Sequence, residues 1–221
     1  MSTQRSPDEI RQHYVDEMGA LLGEYFARLW QEVAFLYWKW QEFIQLFGSD
    51  PADVEVLNQV APAFFRMIQD MWWRDVVLHI ARLTDPPASG RKGKMNFTLM
   101  RLPLLIDEPT LNNQVTKELE NLKIKVKRFR DWRNRRIAHR DLDLVFGGET
   151  SSLPSVGRQH LEEVLRAIML VMNLIEEKYV GASTRFDVVA SHSGARSMLF
   201  YLKKGLMCRE QEIEAKQSQW S

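Results

Sequence analysis

Residues 14–47, YVDEMGALLGEYFARLWQEVAFLYWKWQEFIQLF, decide the fold class. Tyr14, Met18, Leu21, Leu22, Tyr25, Phe26, Leu29, Val33, Leu36, Trp40, Phe43, Ile44 and Phe47 recur at steps of three and four, the spacing of one apolar stripe on a helix. Immediately upstream, Ser6-Pro7-Asp8-Glu9 supplies a helix start. The serine can cap, proline suits the first helical position, and a glutamate three residues after the serine closes a capping box. The pattern predicts one long helix from this cap to Phe47, stopped by Gly48–Pro51.

Downstream the same period continues. A second helix is predicted from about Ala52 to Leu83, with Leu57, Val60, Phe64, Met67, Ile68, Met71, Trp72, Val76 and Ile80 inward and a kink at Pro62. Asp85-Pro86-Pro87 ends it, and the Pro-, Gly-, Ser- and Lys-rich residues 85–96 read as an exposed loop. After a short helical turn near Phe97–Leu102, Pro109 opens a third helix that runs through Leu119, Leu122, Ile124, Val126 and Phe129. Residues 140–155 read as a loop. A fourth helix follows over about 156–180 with Leu161, Val164, Leu165, Ile168, Met169, Met172 and Ile175 inward. A fifth, from about Val188 to Glu214, is interrupted near Gly205. Strand alternation is nearly absent and no repeat is present. The expectation is an all-α, antiparallel bundle of about five main helices in a single domain over 1–221, with 1–6 and about 215–221 as flexible ends. Five of the seven tryptophans (Trp30, Trp38, Trp40, Trp72, Trp73) fall in the first two helices, where such spacing points to core packing or an oligomer interface.

A chain of 221 residues that is 45% hydrophobic can bury a sizeable core without covalent staples. Cys208 is its single cysteine, which excludes an intramolecular disulfide and a four-cysteine zinc site and fits a reducing compartment. The polar, acidic start is unlike a secretory signal, and no apolar run approaches the roughly 18 residues of a membrane span. A cytoplasmic location with no membrane association is expected.

The formal charge of +1 hides an uneven distribution. Residues 121–140 carry nine bases (Lys123, Lys125, Lys127, Arg128, Arg130, Arg133, Arg135, Arg136, Arg140) against one acid, Asp131, so this segment is +8 and the remainder −7. Such a segment is a candidate polyanion surface, because neutralising phosphates releases counterions. The alternative is a solvated helix face balanced by acids from neighbouring helices.

Within this segment His139 can move a proton near neutral pH, while guanidinium groups stabilise charge on a phosphorus centre attacked by a ribose hydroxyl. Two proton transfers are needed and the segment offers one histidine, so a two-fold dimer that apposes two copies would complete the chemistry. In an ideal helix Arg135 and His139 share a face, whereas Arg133 and His139, six residues apart, point about 240° away from each other. For Arg133 to join His139 the helix must end or distort before the histidine, or the arginine must act across a dimer.

The stretch Arg128-Phe129-Arg130-Asp131-Trp132-Arg133-Asn134-Arg135-Arg136-Ile137-Ala138-His139-Arg140-Asp141 resembles the signature of HEPN-domain proteins, an arginine and a polar residue followed by a histidine after four to six positions. Its Ile-Ala-His-Arg-Asp ending is similar to the AbiU2-like branch, as are Ile80-Ala81-Arg82-Leu83-Thr84-Asp85-Pro86 and the Gly194–Gly205 region with its Leu-Lys-Lys-Gly. The likeness covers about residues 15–206. It implies a HEPN-like helical homodimer whose two motifs meet as a metal-independent endoribonuclease, acting as a toxin or in phage defence and held in check by a cognate antitoxin protein. It further implies Arg133 on the scissile phosphate, His139 as acid or base, Asn134 orienting them, and products with a 2′,3′-cyclic phosphate and a 5′-hydroxyl. Lys125, Arg128, Arg130, Arg135, Arg136 and Arg140 are the expected RNA-binding side chains.

The other candidates carry less. His13, His79, His160 and His192 are scattered without metal-ligand spacing and read as structural or exposed, so neither a metal nor a cofactor is expected. Gly90-Arg91-Lys92-Gly93-Lys94 lacks the phosphate-cradling pattern and its preceding strand, and reads as a mobile basic loop within reach of RNA. Arg82 and Asp85 are placed to form a local ion pair that fixes the loop, a reading slightly preferred over a substrate role. Two readings stand: a nuclease that depends on His139, and an inactive helical module binding RNA, nucleotide or a partner protein through the same basic groove. Superfamily members that keep the fold without activity leave the second open.

Overall fold

The computed structural model describes residues 6–89, 93–134, 157–188 and 193–218. Among these are seven α-helices: α1 (Pro7–Met18), α2 (Ala20–Phe47), α3 (Pro51–Val60), α4 (Pro62–Leu83), α5 (Pro109–Trp132), α6 (Arg158–Val180) and α7 (Ala195–Ser218). A 3-10 helix spans Leu99–Leu104, and β1 (Ala88–Ser89) pairs antiparallel with β2 (Lys94–Met95). Among the described residues the fold is all-α apart from this small hairpin, which lies in the stretch expected to be loop.

Helix starts follow local chemistry closely. Ser6 accepts from the Glu9 amide at 3.2 Å while Glu9 reaches back to the Ser6 amide at 2.6 Å, closing the expected capping box. Asp50 caps α3 through the Ala52 amide, and prolines occupy the first positions of α3, α4 and α5. Each of the two longest expected helices is split. Gly19, at φ +80°, separates α1 from α2, a conformation that costs glycine nothing and a side chain about 1–2 kcal/mol. At the second break, Ala61 is forced extended (φ −157°) by Pro62, which begins a new helix rather than kinking one. The apolar stripe departs from the expected one around that break: Val60, Phe64, Met67 and Met71 are exposed and Phe65 and Val77 are buried, while Leu57, Val76 and Ile80 are buried as expected. Conversely α7 runs unbroken through Gly205, where helical glycine costs about 1 kcal/mol.

The helices form two compact units. The first comprises Met1–Tyr37 and Val77–Phe186. Here Glu108 and Thr110, starting α5, line the same groove as Glu177 and Lys178 near the end of α6, while Phe129 stacks on His160 at 5.3 Å at the opposite ends. The two helices are therefore antiparallel, and Val115, Leu122, Val126 and Phe129 of α5 meet Leu161, Val164, Ile168 and Met172 of α6 in a fully enclosed core. Polar side chains tie loops to this core. The Glu176 carboxylate, buried in α6, accepts from Tyr14 Oη at 2.5 Å and Thr184 Oγ1 at 2.9 Å, and Trp30 Nε1 donates to Thr184 Oγ1 at 3.1 Å. Tyr37 Oη donates to the Leu165 carbonyl at 2.6 Å.

The second unit comprises Trp38–Val76 and Asp187–Ser221, with a core of Leu46, Leu57, Phe65, Ala195 and Leu199. Buried Glu42 accepts from the Ala195 amide at 2.5 Å and Trp38 Nε1 at 3.2 Å, anchoring the start of α7 on α2. Of the five early tryptophans, Trp40 is buried in a ring cluster with Phe43 and Trp73, whereas Trp38 is 46% exposed. No helix among the described residues is long and apolar enough to cross a membrane.

The α5 cap carries a pH prediction. Amide donation from Leu111, reinforced by Thr110, holds the Glu108 carboxyl below its ordinary value of 4.5, with partial desolvation opposing. A carboxylate lowered in the folded state stabilises fully above its ordinary value and loses that effect as pH falls through the lowered one. Glu108→Gln should therefore melt below the parent near about pH 7, with the gap closing on acidification toward about pH 2. Circular-dichroism melts across that range check it.

Candidate functional site

The basic segment begins on α5, whose last turns present arginines in an i, i+3 relation on one face. Arg130 donates through Nη2 to the Thr84 carbonyl. One turn on, Arg133 Nη1 pairs with Asp85 Oδ1 at 2.5 Å, and Arg133 Nε donates to Asn134 Oδ1 at 3.1 Å. The two adjacent arginines thus grip consecutive residues of the segment Ile80–Pro86. Both members of the ion pair remain about a quarter exposed, at 24% and 25%. Directly after α5 the winding is π-type at Arg133–Asn134. Such turns recur at functional sites.

The receiving turn is itself tied down by hydrogen bonds. Fully buried Thr84 bonds back through Oγ1 to the Ile80 carbonyl at 2.8 Å, ending α4. Thr98 Oγ1 donates to the Asp85 carbonyl and Asn96 Nδ2 to the Pro86 carbonyl, each at 2.8 Å. Tyr25 Oη both accepts from the Thr98 amide and donates to its carbonyl at 2.9 Å. Burial pushes the Tyr25 phenol above its ordinary value, against the lowering effect of the Thr98 hydrogen bond.

The expected Arg82–Asp85 ion pair does not form. The chain leaves the helix after Leu83, which turns Asp85 toward Arg133, while Arg82 Nη2 lies 3.8 Å from Glu32 Oε2. The same Glu32 oxygen sits 2.9 Å from Nε2 of His79, which is 3% exposed. Glu32, His79, Arg82, Leu83, Asp85, Asn96 and Phe97 together line a cleft of about 290 Å³.

Of the expected RNA-binding residues, Arg128 is exposed and Lys125 half-buried in a groove of about 500 Å³ that also contains Glu118, Glu163 and Arg166. Arg130 faces inward to Thr84. Arg135, Arg136, His139 and Arg140 lie outside the described residues. Asp85 was missed as a partner of Arg133, 48 positions away. The signal for it was an acid two residues past a helix end and before a proline, where its carboxylate has no helical neighbour to satisfy it. Groups of histidine, cysteine, aspartate and glutamate suited to a metal ion are absent among the described residues.

A HEPN family model described as AbiU2 matches residues 21–198, a span that includes the arginine pair, the Ile80–Pro86 turn and the start of α7. No curated protein and no solved structure matches the chain.

Proposed function

The chain belongs to the AbiU2 family of HEPN domains, and from that premise we propose that it is a metal-independent endoribonuclease acting as a homodimer. The observation that carries the reading is the placement of Arg133: it is fixed by Asp85 at the end of a basic helix, beside Asn134, and still partly open to solvent. A guanidinium has five donors in a planar fork, so one contact to a carboxylate leaves others for a phosphate.

In the proposed reaction the ribose 2′-hydroxyl attacks the adjacent phosphorus and the bond to the 5′ oxygen breaks. His139 of one subunit takes the hydroxyl proton. The imidazolium of the second subunit's His139 protonates the departing 5′ oxygen, leaving a 2′,3′-cyclic phosphate and a 5′-hydroxyl. Arg133 stabilises the charge that gathers on the non-bridging oxygens, and Asn134 holds the arginine's orientation. Arg128 and Lys125, with Arg135, Arg136 and Arg140, supply sequence-independent attraction to the backbone. Growth arrest in phage defence, restrained by an antitoxin protein, is the biological role this activity suits.

The test is cleavage of a structured RNA in EDTA with end-group analysis. Expected are cyclic-phosphate and hydroxyl ends, with His139→Ala slowing cleavage by about 10²- to 10⁴-fold while melting temperature and dimer mass hold. Undiminished cleavage by His139→Ala, or cleavage abolished by EDTA, would overturn the proposal. Salt dependence gives a second expectation. Arg128→Ala should flatten the slope of log affinity against log salt by about 0.7–0.9 and weaken all RNA sequences alike, as filter binding over a salt series would read.

A further inference from the structure

Beside Arg133 lies a cleft whose chemistry the cleavage reaction does not use. Asp85, which holds the arginine, forms part of its wall, so a nucleotide whose phosphate reaches Arg133 can place its base there. At about 290 Å³ the cleft is at the bottom of the ~300–1,000 Å³ span of ligand sites, enough for one base and too small for several. Its polar groups are of opposite sign and adjacent: the Glu32 carboxylate, 40% exposed, and the Arg82 guanidinium, 62% exposed, separated by 3.8 Å. Glu32 meets both Arg82 and His79 through Oε2, and the Nε2 of buried His79 stands 2.9 Å from that oxygen. Phe97 offers a ring that is 43% exposed and is held edge-on by Tyr25, with ring centroids 5.0 Å apart.

Carboxylate, guanidinium and aromatic face together select among bases. Guanine presents two neighbouring donors, N1–H and the N2 amino group, which a carboxylate accepts together. It also presents two neighbouring acceptors, O6 and N7, which a guanidinium fork matches. Adenine and uracil lack both pairs, and cytosine lacks the pair of donors. Stacking on a phenyl ring adds attraction without choosing the base. We propose that the cleft formed by Glu32, Arg82, Asp85 and Phe97 is a guanine subsite, receiving the base next to the linkage that Arg133 engages. This rests on the ribonuclease reading for its purpose, but not for its test.

The experiment is calorimetric titration of the full chain with guanosine 3′-monophosphate and its adenosine, cytidine and uridine counterparts, alongside guanosine and GTP. Expected is at least about tenfold tighter binding of the guanosine monophosphate. Glu32→Gln, which keeps the size of the side chain, should cut this preference to within about twofold, and so should Arg82→Gln at a position 62% exposed. Phe97→Leu should weaken all four alike. Equal affinities, or a preference that survives both polar substitutions, would overturn the subsite. So would a preference confined to GTP, because recognition would then lie in the phosphates. Guanine-selective binding without RNA cleavage would leave the subsite and remove the nuclease reading; cleavage with no base discrimination in either assay would do the reverse.

Discussion

Arg133→Ala is expected to lower RNA cleavage by about 10²- to 10³-fold, the usual cost of deleting one preorganised donor to a developing oxyanion. The same change strands Asp85, only 25% exposed, without its partner. A partly buried carboxylate left unpaired costs about 1–3 kcal/mol, so this variant should lose stability as well. A double-substitution cycle separates the two effects. Asp85→Ala removes the anchor while leaving the guanidinium, and cleavage should fall by about tenfold through misplacement alone. Combining the substitutions should restore part of the lost stability while leaving cleavage at the Arg133→Ala level. Chemical denaturation and single-turnover cleavage on the four proteins check this. A deficit for Asp85→Ala as large as that for Arg133→Ala would mean that the carboxylate acts on RNA itself.

Gly23→Ala should destabilise the fold by about 2–4 kcal/mol, although alanine is the better helix former by about 1 kcal/mol. A Cβ at this buried position would stand 2.3 Å from the Tyr14 carbonyl oxygen and 2.5 Å from the Val15 Cα. Both are backbone atoms, so no rotamer change relieves the overlap and α1 must lift from α2. Lifting exposes Tyr14 and Met18, 4% and 8% exposed, each worth about 1.5–3 kcal/mol of burial, and strains the Tyr14–Glu176 hydrogen bond. Gly205→Ala is the control of opposite sign: it sits in α7 with nothing within 4 Å of a built Cβ, and should gain about 0.5–1 kcal/mol. Thermal melts of the two variants should move in opposite directions, with a fall of about 5–15 °C for Gly23→Ala. A neutral Gly23→Ala would show that α1 is not docked at that corner.

Local rules made the helix starts legible. Ser6, Pro7 and Pro109 act through atoms within a turn of themselves, whereas Asp50 was not read as a cap and Pro62 was read as a kink rather than as the start of α4. The break at Gly19 was not legible, because the apolar stripe continues across it from Met18 to Leu22 and periodicity is blind to one positive φ. Inward faces failed where a break changed the phase, which is why Phe64 and Met67 are exposed while Phe65 is buried. At the site, the sequence singled out Arg133 and, separately, the Ile80–Pro86 segment. Their convergence was not readable, since it depends on the turn after α4 meeting the end of α5 across 48 positions. The Arg82–Asp85 expectation failed for the same reason: sequence proximity was taken for contact just where the helix ends.

Because Arg130 and Arg133 both dock on one turn, the length of α5 before them acts as a ruler. Inserting or deleting a single residue between Pro109 and Arg130 would swing both guanidiniums about 100° around the axis, away from Thr84 and Asp85. Chain-length variation in relatives with the same site should therefore fall outside this helix, and where it occurs within it, in steps of three, four or seven that return the arginines to the same side.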